Sequence, residues 1–229
     1  MYTHTHAHTH KETVTIVGLG GSLAAPSNSL AALKIAAEGA REAGAETVIL
    51  DIRELDLPMY VPGAKETPEA VRRLCDAVYT ADGLLWSSPL YHGTISGAFK
   101  NALDWLQLLS DRQPAYLTDK VVGLIATAGG MQGLQAVNTM EFVVRSLRGW
   151  AVPLVIPVSR AWQVFGDDGQ ARDSQVEEQL RALGREVARA ARQFSAHPLS
   201  TPDVEQAEGQ IEGADQQASG ARPAARARS

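Results

Sequence analysis

The chain has 229 residues, of which 45% are apolar and 21% charged, a composition typical of one globular α/β domain with a large core. Its formal net charge of −5 provides no basic surface for nucleic acid, and no apolar stretch approaches the ~20 residues that span a bilayer. Cys75 is the single cysteine, which excludes an internal disulfide, and the N-terminus lacks an apolar signal segment, so we expect a cytoplasmic protein.

The two ends of the chain differ in composition from the middle. Residues 1–12 alternate threonine and histidine, which indicates a disordered tail or, as the less favoured alternative, a weak site for a divalent metal. Residues 197–229 lack aromatic side chains and hold few large aliphatic ones, so they bury too little apolar area to offset the entropy of ordering. We expect two disordered tails around one domain at residues 13–196.

Between the tails, apolar runs alternate with helical patterns. Short runs rich in β-branched residues predict five strands, at TVTIVGL, ETVILDI, DGLLWSSP, KVVGLIATAGG and AVPLVIPVS. The first helix is capped by Ser27 or Asn28, and the second begins at Pro68. This alternation predicts a three-layer, flavodoxin-like α/β fold, with a five-stranded parallel sheet of order 2-1-3-4-5 and helices on both faces.

In such a sheet a ligand lies beyond the carboxyl ends of the strands, where the strand order reverses. The first strand is followed there by a loop with four polar side chains, Ser22, Ser27, Asn28 and Ser29. The third glycine of a dinucleotide fingerprint is replaced by Leu23, and no lysine of a Walker loop precedes Lys34. Hydroxyl groups beside a helix N-terminus suit a terminal monophosphate, although helix capping would account for one of them.

Unusual loops also follow the third and fourth strands. After the third strand, Pro89 stiffens a turn and a planar aromatic ligand would lie against Leu90 and Tyr91, unless Tyr91 only covers the end of the sheet. In the helix that follows, Lys100 and Asp104 have the spacing of an ion pair and receive no catalytic role. The fourth strand ends in the glycine-rich segment ATAGGMQG, whose main-chain N–H groups are free to point at ligand oxygens, although a tight turn would also use glycine.

Three segments resemble the NAD(P)H-dependent FMN reductases, a flavodoxin-like group that includes azoreductases, quinone and chromate reductases and partners of two-component monooxygenases. These segments are GSLAAPSNSLAAL, PLYHGTISGAFKNALDWL and ATAGGMQG, in this order, and the middle one is the most specific. The resemblance implies that Ser22, Ser27, Asn28 and Ser29 bind the FMN phosphate, that Pro89, Leu90, Tyr91 and His92 line the isoalloxazine, and that Thr127, Ala128, Gly129 and Gly130 contact its polar edge. Two positions depart from the family pattern, since Ala24 replaces a common arginine and His92 replaces a common asparagine.

The resemblance implies an enzyme that passes a hydride from NADPH or NADH through FMN to a small-molecule acceptor, such as free flavin, a quinone, an azo compound or a metal oxyanion. The chemistry belongs to the cofactor, so we assign no catalytic acid or base and no metal ligand. One alternative is a flavodoxin-type electron carrier without nicotinamide turnover. A flavin-free binding module is a third interpretation, because Ala24 removes a charge partner of the phosphate.

The helices after the third and fourth strands carry more apolar residues than one packing face needs. The surplus comprises Trp105, Leu108 and Leu109 in the first, and Met140, Phe142, Val143, Val144 and Leu147 in the second. We therefore expect a homodimer or homotetramer built on these helices, as the resemblance also implies.

Overall fold

The computed structural model describes residues 13–197, and both predicted tails apart from His197 lie outside the described residues. The disorder expected for the tails and the weak metal site considered for residues 1–12 therefore stay predictions. Among the helices of residues 13–197, none is long and apolar enough to cross a membrane.

Six strands and seven α-helices alternate along the described residues. The strands are β1 Thr15–Gly20, β2 Glu46–Asp51, β3 Gly83–Tyr91, β4 Thr94–Ile95, β5 Val121–Thr127 and β6 Trp150–Val158. The helices are α1 Asn28–Glu42, α2 Ile52–Leu55, α3 Glu69–Thr80, α4 Gly97–Trp105, α5 Gly133–Ser146, α6 Ala161–Val164 and α7 Ser174–Ala196, and a 3-10 turn Leu106–Leu109 extends α4.

The long strands form a parallel sheet in the order β2-β1-β3-β5-β6, and β4 pairs antiparallel with the end of β3. The predicted order of five parallel strands and the helices on both faces of the sheet are confirmed. The short strand β4 was not predicted. Successive residues of β3 enter opposite core layers, because strand side chains alternate between faces. Leu84 and Trp86 join the layer that contains α3, α4 and α5, whereas Leu85 joins the layer of α1 and α7.

Helices α1 and α7 cross in unusually close contact. A Cβ atom on Gly39 of α1 would lie 2.1 Å from the carbonyl oxygen of Arg181, and one on Gly184 of α7 would lie 1.8 Å from that of Ala36. Above this crossing the Arg181 guanidinium donates to Glu38, Glu42 and Glu177. The two glycines thus fix the position of α1, whose first turn borders the site described below.

The apolar surplus expected on α4 and α5 is smaller than the sequence indicated. Trp105, Leu109, Met140 and Val144 are buried within the chain, so their assignment to a subunit interface is wrong. Trp105 is covered because the loop after α2 folds over it: its Nε1 donates to the Pro58 carbonyl at 2.8 Å, and its ring contacts that of Tyr60 edge-on at 5.1 Å. Val143 and Leu147 are half-buried, and Leu108 and Phe142 are exposed.

Candidate functional site

A crevice of about 200 Å³ opens at the carboxyl ends of β1, β3 and β5. Nine of the twelve predicted site residues line it: Ser22, Asn28, Ser29, Pro89, Leu90, Tyr91, Thr127, Ala128 and Gly129. The crevice does not include Ser27, His92 or Gly130 in its walls. The loops after three separate strands therefore meet at one place, as expected for a sheet of this topology.

Close contact between β1 and β3 brings the first loop to its position. A Cβ on Gly20 would lie 2.3 Å from the Ser87 carbonyl oxygen, so only glycine fits at this point of β1. The same carbonyl accepts the Gly21 amide at 3.2 Å, and the Ser87 hydroxyl donates to the Ser29 carbonyl at 2.8 Å. The sequence analysis missed Ser87, although a serine inside an apolar, buried strand is a signal that its hydroxyl bonds to a neighbouring segment.

A second hydrogen bond joins the first turn of α1 to the end of β5. The Ser29 and Thr127 hydroxyl oxygens are 2.6 Å apart, and both side chains are buried. One hydroxyl proton is used in this bond, so at most one of the two groups is free to donate to a ligand. The pair therefore holds α1 and β5 together as well as lining the crevice.

The N-terminus of α1 borders the crevice, which Asn28 and Ser29 line. Ser27 is the N-cap, since its hydroxyl accepts from the Leu30 amide at 3.2 Å and its carbonyl accepts from the Ala31 amide at 3.0 Å. The amides of Asn28 and Ser29 precede the first intrahelical bond, and amides at this position favour an anion. Ser27 does not line the crevice but a second cavity of about 360 Å³, which is also bordered by residues of α1 and α7.

His92 belongs to a tight hairpin between β3 and β4. His92 and Gly93 have φ values of 50° and 85°, and Tyr91 pairs with Thr94 across the turn. Two central residues with positive φ characterise the two-residue hairpin that suits twisted strands, and histidine and asparagine tolerate this conformation better than most residues do. The backbone thus accounts for the residue type at position 92 without a ligand contact.

The glycine loop after β5 is firmly held but faces open space. The Ala128 amide donates to the Val158 carbonyl at 2.9 Å, and the Ala128 carbonyl accepts the Ala161 amide at 3.0 Å. A Cβ added at Gly129 or at Gly130 would meet no atom within 4 Å. Packing within the described residues therefore does not require glycine at these positions, whereas a ligand placed against the loop would.

The short helix α6 supplies a fourth wall that was not predicted from the sequence. Its residues Ala161 and Trp162 line the crevice, and Trp162 is 63% exposed. The available signal was an aromatic residue three positions after the last predicted strand, at the same edge of the sheet.

The walls of the crevice are almost electrically neutral. Among the described residues that line it, Tyr91 is the one with a titratable side chain, and none carries a full charge at neutral pH. Lys100 and Asp104 form the expected i,i+4 ion pair in α4, away from the crevice. A site of this kind binds and orients a ligand that brings its own reactivity, because no acid and base stand together in it.

The family model described as NADPH-dependent FMN reductase matches residues 14–163. An FMN-dependent NADPH-azoreductase of Staphylococcus aureus (strain USA300) is 32% identical over 167 residues, which cover 71% of this chain and 86% of that protein. Among solved structures, FerB from Paracoccus denitrificans, a flavoenzyme NAD(P)H:(acceptor) oxidoreductase, aligns with a TM-score of 0.64 and 22% identity over 79% of this chain and 98% of its own. The flavodoxin, WrbA-like protein from Agrobacterium tumefaciens aligns with a TM-score of 0.54 and 19% identity, over 79% of this chain and 98% of its own. The two structural likenesses show the fold.

Proposed function

This chain belongs to the NADPH-dependent FMN reductase family, and from this membership we propose that the crevice at the carboxyl edge of the sheet is where it binds FMN. The protein is an FMN-dependent oxidoreductase with NADPH as its reductant. Bound FMN supplies the redox chemistry, in which a hydride is accepted from the nicotinamide and electrons pass to a second substrate. The chain's own residues bind the cofactor, orient it and exclude water from it.

We place the isoalloxazine against Pro89, Leu90 and Tyr91, with its polar edge at the glycine loop. The observation that carries this proposal is the open space in front of Gly129 and Gly130, which packing among residues 13–197 does not explain. A methyl group at Gly129 would occupy that space, so we expect Gly129→Ala to weaken FMN binding about tenfold or more, a change of ~1.4 kcal/mol.

The test is a fluorescence titration of apo-protein with FMN and with FAD. Gly97→Ala is the matched control, because Gly97 also faces open space but lies in α4 outside the crevice. Thermal melting of both variants without flavin separates lost binding from lost folding. Equal FMN affinity for Gly129→Ala and wild type would contradict the placement of the ring, and tighter binding of FAD than of FMN would contradict the cofactor site.

The FMN phosphate is proposed to lie at the N-terminus of α1, near Ser22, Asn28 and Ser29. Hydroxyl and amide donors with the helix dipole support this position, whereas Ala24 leaves out a cation that the family commonly supplies. Because hydrogen bonds from a charged donor are stronger than neutral ones by ~1 kcal/mol, Ala24→Arg is expected to tighten FMN binding about fivefold, and more at low salt. Ala24→Gln is the uncharged control; equal effects of Arg and Gln would argue against a nearby phosphate.

We propose a planar, apolar electron acceptor of the azo or quinone type. Large apolar side chains are exposed on the loops at the mouth of the crevice or directly after them: Leu23, Tyr91, Met131, Leu134 and Trp162. Such a rim favours an aromatic acceptor over a hydrated metal oxyanion, and the relative named as an azoreductase supports the same class. NADPH oxidation should be faster with an azo dye or a quinone than with chromate. A preference for chromate would refute this acceptor class, and FMN binding without steady-state NADPH oxidation would favour a simple electron carrier.

The remaining exposed apolar surface supports a homodimer. Met59 and Val61 are exposed on the loop after α2, which is attached to α4 by hydrogen bonds with Asn101 and Trp105. Phe142 is exposed on α5. We propose that a second copy of the chain covers this surface. Light scattering at micromolar concentration should give a dimer or tetramer for wild type and a smaller mass for Phe142→Glu. Val48→Glu, at an exposed position of the edge strand β2, should leave the mass unchanged; a monomeric wild type would refute the interface.

A further inference from the structure

Trp162 presents a large aromatic surface to the crevice from α6, an element that the placement of the isoalloxazine proposed above does not use. Its indole is 63% exposed, yet it lines the same cavity as Leu90 and Tyr91, which come from β3. We propose that Trp162 is the second aromatic wall of the cofactor site and contacts the isoalloxazine ring of FMN. This inference rests on the proposed function, because it presupposes that FMN occupies the crevice.

The backbone that carries Trp162 is tied to the glycine loop. The Ala161 amide donates to the Ala128 carbonyl at 3.0 Å, and the Arg160 amide donates to the Gly130 carbonyl at 3.3 Å. Ala161 and Val164, on either side of Trp162, are buried in the core. The short helix α6 is therefore anchored at both ends, and Trp162 is held beside the loop that faces the polar edge of the ring.

The turn that leads into α6 is conformationally costly. Arg160 adopts φ 48° and ψ 46°, the left-handed region in which residues other than glycine, asparagine and aspartate are uncommon. A strained residue persists where the surrounding structure requires it, and such residues cluster at ligand-binding sites. Arg160 joins the end of β6 to α6, whose second residue, Trp162, lines the crevice.

A planar isoalloxazine is the chemistry that this wall would recognise. Indole is a broad, apolar, π-rich surface, and aromatic rings in contact gain stabilisation beyond that of apolar burial. Indole in contact with an isoalloxazine also quenches flavin fluorescence, because the excited flavin accepts an electron from it and the electron then returns. The contact therefore has a spectroscopic signature that does not depend on turnover.

The test compares Trp162→Leu and Trp162→Phe with Trp150→Leu. Trp150 is the matched control, since it is 59% exposed but begins β6 at the opposite edge of the sheet, where its ring lies 5.6 Å from that of Phe194. We expect Trp162→Leu to weaken FMN binding about tenfold and to make the bound flavin brighter, Trp162→Phe to retain most of the affinity, and Trp150→Leu to match wild type. Melting temperatures without flavin should be alike, because both indoles are largely exposed.

Two results would overturn the inference and are distinguishable from each other. If wild type binds FMN but Trp162→Leu binds it equally well with unchanged flavin fluorescence, Trp162 does not touch the ring, and the cofactor site itself is unaffected. In that case, a higher KM for the electron acceptor in Trp162→Leu than in wild type would show that the indole contacts the acceptor instead of FMN. If wild type binds no FMN, the proposed function fails together with this inference.

Discussion

The hydrogen bond between the Ser29 and Thr127 hydroxyls predicts a strongly non-additive pair of substitutions. Both side chains are buried, and their oxygens are 2.6 Å apart between α1 and β5, at positions 98 residues apart in the chain. Ser29→Ala would leave the Thr127 hydroxyl buried without this partner, and Thr127→Val would do the same to Ser29. The double variant Ser29→Ala/Thr127→Val would remove both polar groups at once.

The magnitude follows from the cost of a buried hydroxyl that loses its partner. Each single variant should lower the free energy of unfolding by about 1–3 kcal/mol, because the remaining hydroxyl has been taken out of water without compensation. Replacing both partners by apolar groups of similar shape is close to neutral by comparison. The double variant should therefore cost no more than the worse single variant, which corresponds to a coupling free energy at least as large as the smaller single effect, about 1–3 kcal/mol.

Urea denaturation followed by circular dichroism, without added flavin, measures all four proteins of this cycle. The matched control is the cycle Thr94→Val and Thr139→Val, whose hydroxyl oxygens are 3.2 Å apart on the surface, where water replaces a lost partner and the coupling should stay below ~0.5 kcal/mol. Additive effects of Ser29→Ala and Thr127→Val would refute the reasoning, since they would mean that neither hydroxyl depends on the other.

Three further substitutions test other parts of the structure. Gly184→Ala would place a Cβ 1.8 Å from the Ala36 carbonyl oxygen. We expect this variant to lower the free energy of unfolding in urea by about 2 kcal/mol or more, although alanine has the better helix propensity. An unfolding midpoint equal to that of wild type would show that α1 and α7 separate freely. His92→Val should cost about 1–2 kcal/mol because a β-branched residue must adopt positive φ there, whereas His92→Asn should match wild type; equal stability of both would contradict the hairpin turn. Burial raises the pKa of the Cys75 thiol from 9.0 to about 11, so its contribution to stability is complete below pH 9 and is lost as the pH rises towards 11. Between pH 7.5 and about pH 10.5, the free energy of unfolding measured in urea should therefore fall by about 2 kcal/mol more for wild type than for Cys75→Ala. Equal decreases in the two proteins would refute the raised pKa of Cys75.

The regular part of the fold was predictable because burial alone determines it. β3 and β5 are covered on both faces, so their apolar, β-branched runs stand out in the sequence, and the alternation with helices leaves few topologies. The edge position of β6 agrees with its prolines, Pro153 and Pro157, which cannot donate to a neighbouring strand. The short elements β4, α2 and α6 were missed, because each is set by a local backbone turn or by anchoring to distant residues.

The candidate site was predictable where loops directly follow strands, and less so where side chains have competing roles. The sequence placed Ser22, Asn28 and Ser29 at a helix N-terminus, but it did not show that the Ser27 hydroxyl is engaged as the cap. His92 was assigned to the ring on resemblance, whereas the positive φ of the hairpin is a property of the folded backbone. Trp162 was missed because its direction depends on the left-handed Arg160, a conformation that the local sequence does not announce.

If the FMN phosphate binds at the N-terminus of α1 as proposed, its binding depends on backbone position more than on side-chain charge. Among residues 13–197 the crevice is lined by uncharged side chains, so the amides at the start of α1 would provide the main electrostatic attraction, which falls off within the first turn of a helix. The orientation of α1 is in turn set by its contact with α7 at Gly39 and Gly184, and its first turn is held to β5 through Ser29. A substitution at Gly184 is therefore expected to weaken FMN binding as well as folding, although the residue lies outside the crevice. Titrating FMN into Gly184→Ala at a temperature where the variant stays folded measures this link, and a wild-type affinity there would show that the first turn of α1 is positioned by its loop alone.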